Sequence, residues 1–91
     1  MKRDAENAKV VSVEEESPYC WVGGNTYAVK DKLKSIDKKN GGPSRWNGEV
    51  KCWLILRKSF DDLVEELGDD AEGLVMYPYS KYKMFDRRRN S

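Results

Sequence analysis

Between positions 19 and 56 the chain is punctuated so heavily that few folds stay open to it. Gly23-Gly24 ends one apolar run, Gly41-Gly42-Pro43 ends a helical run, and Asn47-Gly48 separates Ser44-Arg45-Trp46 from the apolar segment 50–55. Asn-Gly between strand-forming residues is a strong hairpin signal, because both central residues of a type I′ turn need φ > 0. The stretch therefore reads as strand, helix, hairpin. It also holds all three tryptophans and both cysteines of the 91-residue chain, so the core must form around it.

On either side the pattern continues. Residues 1–9 are polar and without period, a flexible leader. Val10, Val11 and Val13 form a short β-branched strand that ends in Glu14-Glu15-Glu16 and the turn Ser17-Pro18. This strand either pairs with Tyr19-Cys20-Trp21-Val22 as a hairpin or forms one bent strand with it, broken at Pro18. Asn25-Thr26 then offers N-caps for a helix with Val29, Leu33 and Ile36 on one face. Lys30, Lys32 and Lys34 lie on the other face, with Lys38 and Lys39 just past its end and Asp31 as its one acid. After the hairpin, Ser59 is the expected N-cap of a second helix. Phe60, Leu63, Val64 and Leu67 are its buried face, Asp61 and Asp62 occupy its first turn, and Gly68 is its stop. Positions 73–77 give a last short strand, held to an edge or end by Pro78.

In the second hairpin strand Cys52 and Leu54 alternate with Trp53 and Ile55, so both faces are apolar and the strand must be covered on both sides. The expected fold is α+β, a small antiparallel sheet of three to five strands with two amphipathic helices packed on it. One domain spans 10–80, and 81–91 is a basic, mobile tail containing Tyr82 and Phe85. Trp46 and Trp53 read first as core anchors of the hairpin.

The absence of histidine removes the commonest general base and zinc ligand, together with the Ser-His and Cys-His arrangements. No metal site and no cofactor are expected. Cys20 and Cys52, each beside a tryptophan, read as small buried hydrophobes, with a close pair on adjacent strands as the alternative. No run is long and apolar enough for a membrane span and no secretory signal opens the chain, so a soluble, cytoplasmic protein is expected. The carboxylates fall on a solvated helix face and no Gly-rich phosphate loop is present, so the chain does not read as an enzyme.

Charge is segregated. Residues 25–58 carry nine Lys or Arg against three acids, 59–80 carry seven acids and no base, and 81–91 are basic again. The basic block points to phosphate, with Tyr27, Lys30, Lys34, Lys38, Lys39, Arg45 and Lys51 as the candidate nucleic-acid contacts. The acidic block, Asp61, Asp62, Glu65, Glu66, Asp69, Asp70 and Glu72, points instead to a protein partner recognised by charge. Neutralisation of one helix by the other is the alternative to both.

Gly24-Asn25-Thr26-Tyr27, Lys30-Asp31, Leu33-Lys34, Gly41-Gly42, Arg45-Trp46-Asn47 and Lys51-Cys52-Trp53 together resemble a small module of phage and plasmid DNA-processing proteins. The arrangement is distantly similar to the HARP domain of annealing helicases. The resemblance spans roughly residues 19–67, with 37–40 inserted ahead of the glycine pair, and implies binding to nucleic-acid structures. The expected function is a non-enzymatic nucleic-acid-binding module using the basic helix and hairpin. The alternative is a small phage-type interaction module or inhibitor that binds a host or defence protein through its acidic helix. A homo-oligomer joining basic to acidic blocks is a third arrangement.

Overall fold

A computed structural model of the chain describes residues 9, 10 and 17–86. Five strands, β1 (Lys9–Val10), β2 (Tyr19–Gly24), β3 (Arg45–Asn47), β4 (Cys52–Leu56) and β5 (Leu74–Pro78), form one sheet in the order β1-β5-β2-β4-β3. Along β5, β2, β4 and β3 each strand is antiparallel to its neighbour, and β1 adds to β5 in parallel. Helices α1 (Lys30–Lys39) and α2 (Arg57–Leu67) pack on one face, and the fold is α+β as expected.

The apolar period of each helix explains where it sits. Leu33 is buried, with Val29 and Ile36 packed beside it, and Phe60, Leu63 and Val64 bury the inner face of α2. These side chains meet Cys20, Val22, Trp53, Ile55, Leu74 and Met76, the residues that alternation turns to the helix side of the sheet. Trp21, Cys52 and Leu54 point the other way and are covered by Tyr77, Tyr79, Tyr82 and Phe85. β4 is therefore buried on both sides, as its composition requires. Gly68 ends α2 at φ 59°, the conformation for which glycine is suited.

Several expectations change. β1 pairs with β5 rather than with β2, so the hairpin across Pro18 does not form, and neither does one continuous strand. The expected leader residues 1–8, the strand positions Val11 and Val13, the run 14–16 and the tail residues 87–91 lie outside the described residues. Asn47 and Gly48 do not make a two-residue turn. Asn47 pairs with Cys52 across a four-residue loop. Its Oδ1 accepts from the backbone N–H of Glu49 (2.8 Å) and Val50 (3.3 Å), and Lys51 supplies the positive φ, 55°. An asparagine side chain that closes an Asx-type turn on its own backbone competes with the tighter hairpin turn.

Ser59 is not an N-cap. α2 starts directly from β4, its Arg57 N–H donating to the Pro18 carbonyl at 2.7 Å, and Ser59 lies inside the helix where its Oγ accepts from Asn40 Nδ2 at 3.1 Å. The domain also continues beyond residue 80. Tyr79–Phe85 forms 3₁₀ turns, kinked at Tyr82, that strap the back of the sheet. Trp21 Nε1 donates to the Tyr79 carbonyl at 3.0 Å, Asn47 Nδ2 to the Phe85 carbonyl at 3.0 Å, and the Tyr79 hydroxyl to Asp86 Oδ2 at 2.7 Å.

Cys20 and Cys52 are both free and buried, on opposite faces of the sheet. Burial pushes the Cys20 thiol well up, and pushes that of Cys52 up to about 11. A thiol raised in the folded state contributes stability that is full below the unfolded value, near 9, and is lost as pH climbs toward the folded value. Urea midpoints are expected to hold from pH 6 to 8 and to fall from about pH 9 upward. Neither thiol should react with a disulfide reagent at pH 8 until denaturant is added. A thiol that reacts readily in the native protein would contradict this burial.

Candidate nucleic-acid interface

α1 lies toward the β4–β3 end of the sheet, and its register decides which lysines meet the aromatic residues. About 100° per residue separates neighbours around a helix, so Lys30 and Lys34 share one flank of the buried Leu33 and Lys32 falls on the other. On the first flank, Lys30 Nζ lies 5.0 Å from the centre of the Tyr27 ring and Lys34 Nζ lies 5.9 Å from that of Trp53. On the second, Lys32 Nζ reaches Glu66 Oε2 of α2 at 3.2 Å. The basic helix is thus split between a flank that faces aromatics and a flank that neutralises α2 at one point.

Cross-strand pairing completes the first flank. Trp46 of β3 is directly opposite Trp53 of β4, with ring centroids 5.5 Å apart at 56°. Trp53 is only 8% exposed and is the floor. Trp46, on the edge strand, is 50% exposed, and Tyr27, in the 3₁₀ turn (Tyr27–Val29) before α1, is 79% exposed. Tyr27, Lys30, Trp46, Lys51 and Trp53 line one open groove of about 490 Å³, together with Gly24, Asn25 and Thr26. Gly24, at φ 85°, turns the chain from β2 into this wall, and a side chain there would run into the Gly73 carbonyl.

Of the expected contacts, Tyr27, Lys30 and Lys51 line the groove and Lys34 stands on Trp53. Lys38 is exposed one turn beyond Lys34 on the same flank, past the groove. Lys39 turns to the Lys32 side. Arg45 belongs to the other face of the sheet. Alternation along β3 sets it against Leu54 rather than Trp53, and it lines a second groove of about 350 Å³ with Asn47, Glu49 and Phe85. Trp46 was expected in the core and is half in solvent. The signal for it was in the sequence, since a tryptophan on a three-residue strand next to a glycine loop has few neighbours to cover it.

The acidic residues Asp61, Asp62, Glu65, Glu66, Asp69, Asp70 and Glu72 are all exposed along α2 and the turn that follows. Three of them are engaged: Glu66 by Lys32, Asp61 by Arg57 Nη2 at 3.7 Å, and Asp62 by Asn40 Nδ2 at 3.1 Å. Exposed pairs of this kind contribute little stability.

One acid the sequence reading passed over is central to the architecture. Asp37, in α1 and fully buried, accepts at Oδ2 from the Ser44 N–H and hydroxyl, both at 2.8 Å, and at Oδ1 from the Leu56 N–H at 2.9 Å. It joins the end of α1 to the start of β3 and the end of β4, and so holds the lysine flank over Trp53. Among the described residues there is no cluster of three or more acids or cysteines that could hold a metal ion, and no helix long and apolar enough to cross a membrane. No protein-family model matches this chain, and comparison with curated proteins and with solved structures returns no match.

Proposed function

We propose that this chain is a non-enzymatic nucleic-acid-binding module that works through the groove between α1 and β3. One observation carries the reading: two exposed aromatic rings, Tyr27 and Trp46, share a groove with Lys30, Lys51 and the neighbouring Lys34. Stacking surface beside cations is the combination that non-specific nucleic-acid binders use, the rings taking bases and the lysines taking phosphates. Lys38 extends the positive flank by one turn. Rings and lysine ammonium groups meet any base face and any phosphate alike, which favours binding without sequence preference.

Fluorescence anisotropy of labelled oligonucleotides at about 50 and 200 mM salt tests the reading. With three phosphate contacts, affinity for a single strand should fall about 20-fold between the two conditions. Lys30→Glu, Lys34→Glu and Lys51→Glu combined should abolish binding with the melting temperature held, because all three side chains are wholly or partly in solvent. Binding that is flat in salt, or survives the triple reversal, would count decisively against it. Absence of binding at low salt would turn attention to the acidic face of α2 as a protein-binding surface.

A further inference from the structure

We infer that the ligand of this groove is single-stranded, with an unstacked base seated against Trp46 and Tyr27, and that a duplex is turned away. The inference rests on the nucleic-acid reading above and narrows its ligand. Among the described residues three large hydrophobic side chains are exposed, and two of them, Tyr27 and Trp46, line this one groove. A duplex buries its base faces in its own stack and offers phosphates, sugars and base edges, so neither ring would find a base face to stack on. A single strand can turn a base onto them. The volume, about 490 Å³, falls in the range of small-molecule sites, enough for a base with its sugar.

The surroundings discriminate in the same direction. β3 is the edge of the sheet, so the groove opens outward and a strand can run past it. Inward, α2 packs against α1, and packed helices lie roughly 8–10 Å apart. A duplex set on the lysine flank carries a second row of phosphates across a groove roughly 6–12 Å wide. That row would fall over Asp62 and Glu66, whose carboxylates meet Asn40, at the C-terminal end of α1, at 3.1 Å and Lys32 of α1 at 3.2 Å. A single strand held at the β3 side avoids them.

Three labelled ligands separate the outcomes: a twelve-residue oligothymidine, an abasic twelve-unit sugar–phosphate chain with the same number of phosphates, and a duplex of the same length, which carries twice as many and so has the advantage in charge. At about 50 mM salt the oligothymidine should bind about tenfold more tightly than either of the others, the gain expected from stacking a base. Trp46→Ala and, separately, Tyr27→Ala should bring the oligothymidine down toward the abasic chain, whereas Lys30→Ala should weaken both ligands alike. Tyr27 is exposed enough that its replacement leaves folding intact, which covers the case of a misfolded Trp46 variant. Equal affinity for the abasic chain or the duplex overturns the base-binding inference and leaves the nucleic-acid reading standing. Failure of all three ligands to bind overturns both.

Discussion

Replacing Asp37 by alanine will lower the stability of the folded chain by about 3–5 kcal/mol, a large part of the roughly 5–15 kcal/mol available to a domain of this kind. The side chain is fully buried and accepts three hydrogen bonds. Removing it leaves two backbone N–H groups, on Ser44 and Leu56, without their acceptors in the interior, and each such group costs about 1–3 kcal/mol. At about 4–8 °C per kcal/mol the melting temperature should drop by about 12–40 °C. Asp37→Asn should recover only part of this. Its single carbonyl oxygen can serve Ser44, but the amide then turns N–H against the N–H of Leu56. If Asp37→Asn melts with the parent chain, the two-sided acceptor is not what holds this corner.

Gly42 belongs to the same device. Its N–H donates to the Asp37 carbonyl at 2.8 Å, and a Cβ built on it would occupy the space of the Asp37 carboxylate itself. Gly42→Ala should therefore destabilise by displacing that carboxylate. In the Asp37→Ala background the space is empty and the same change should cost little. Residues that share one site show such non-additivity, where separate sites would add. If the effect of both variants is on folding alone, oligonucleotide binding should weaken in proportion to the unfolded fraction, without a change in its salt slope.

Much of the fold was legible because it depends on local period. The double-faced apolar run of β4, the Phe60, Leu63, Val64, Leu67 face of α2 and the stop at Gly68 are each written within ten residues of sequence. What was not legible depends on distant partners. β1 pairs with β5, 66 positions away in register, and nothing in a two-residue strand names its neighbour. Ser59 looked like a cap by type, yet the chain enters α2 without one because Pro18 accepts from Arg57. Asp37 fell outside the expected helix, in the insertion ahead of the glycine pair, although its position, four beyond Leu33, places it on the buried side of α1. Two features could have been read and were not. Tyr79, Tyr82 and Phe85 recur every third residue, the period of a 3₁₀ helix with one apolar side. Arg45 and Trp46, being adjacent on a strand, had to face opposite ways.

Trp21 and Trp46 should separate stability from binding. Trp21 is 1% exposed, stacks on Tyr79 with ring centroids 6.3 Å apart and planes within 9°, meets Tyr82 edge-on at 5.9 Å, and donates its indole N–H to the strap. Trp21→Ala should cost about 3–5 kcal/mol, the range for emptying a core of a large aromatic side chain. It should also loosen Tyr79–Phe85 from the sheet. Cys52, on the strap side, would then become reactive toward thiol reagents before Cys20, on the helix side. Trp46→Ala removes a half-exposed ring whose one aromatic partner among the described residues is Trp53, and should cost only about 1 kcal/mol. Urea unfolding of the two variants decides the point. If Trp46→Ala is as unstable as Trp21→Ala, Trp46 is an anchor of the hairpin, and its exposure no longer speaks for a ligand. If it unfolds close to the parent chain, the chain exposes an indole that its own folding does not need, and a ligand becomes the economical reason for keeping it there.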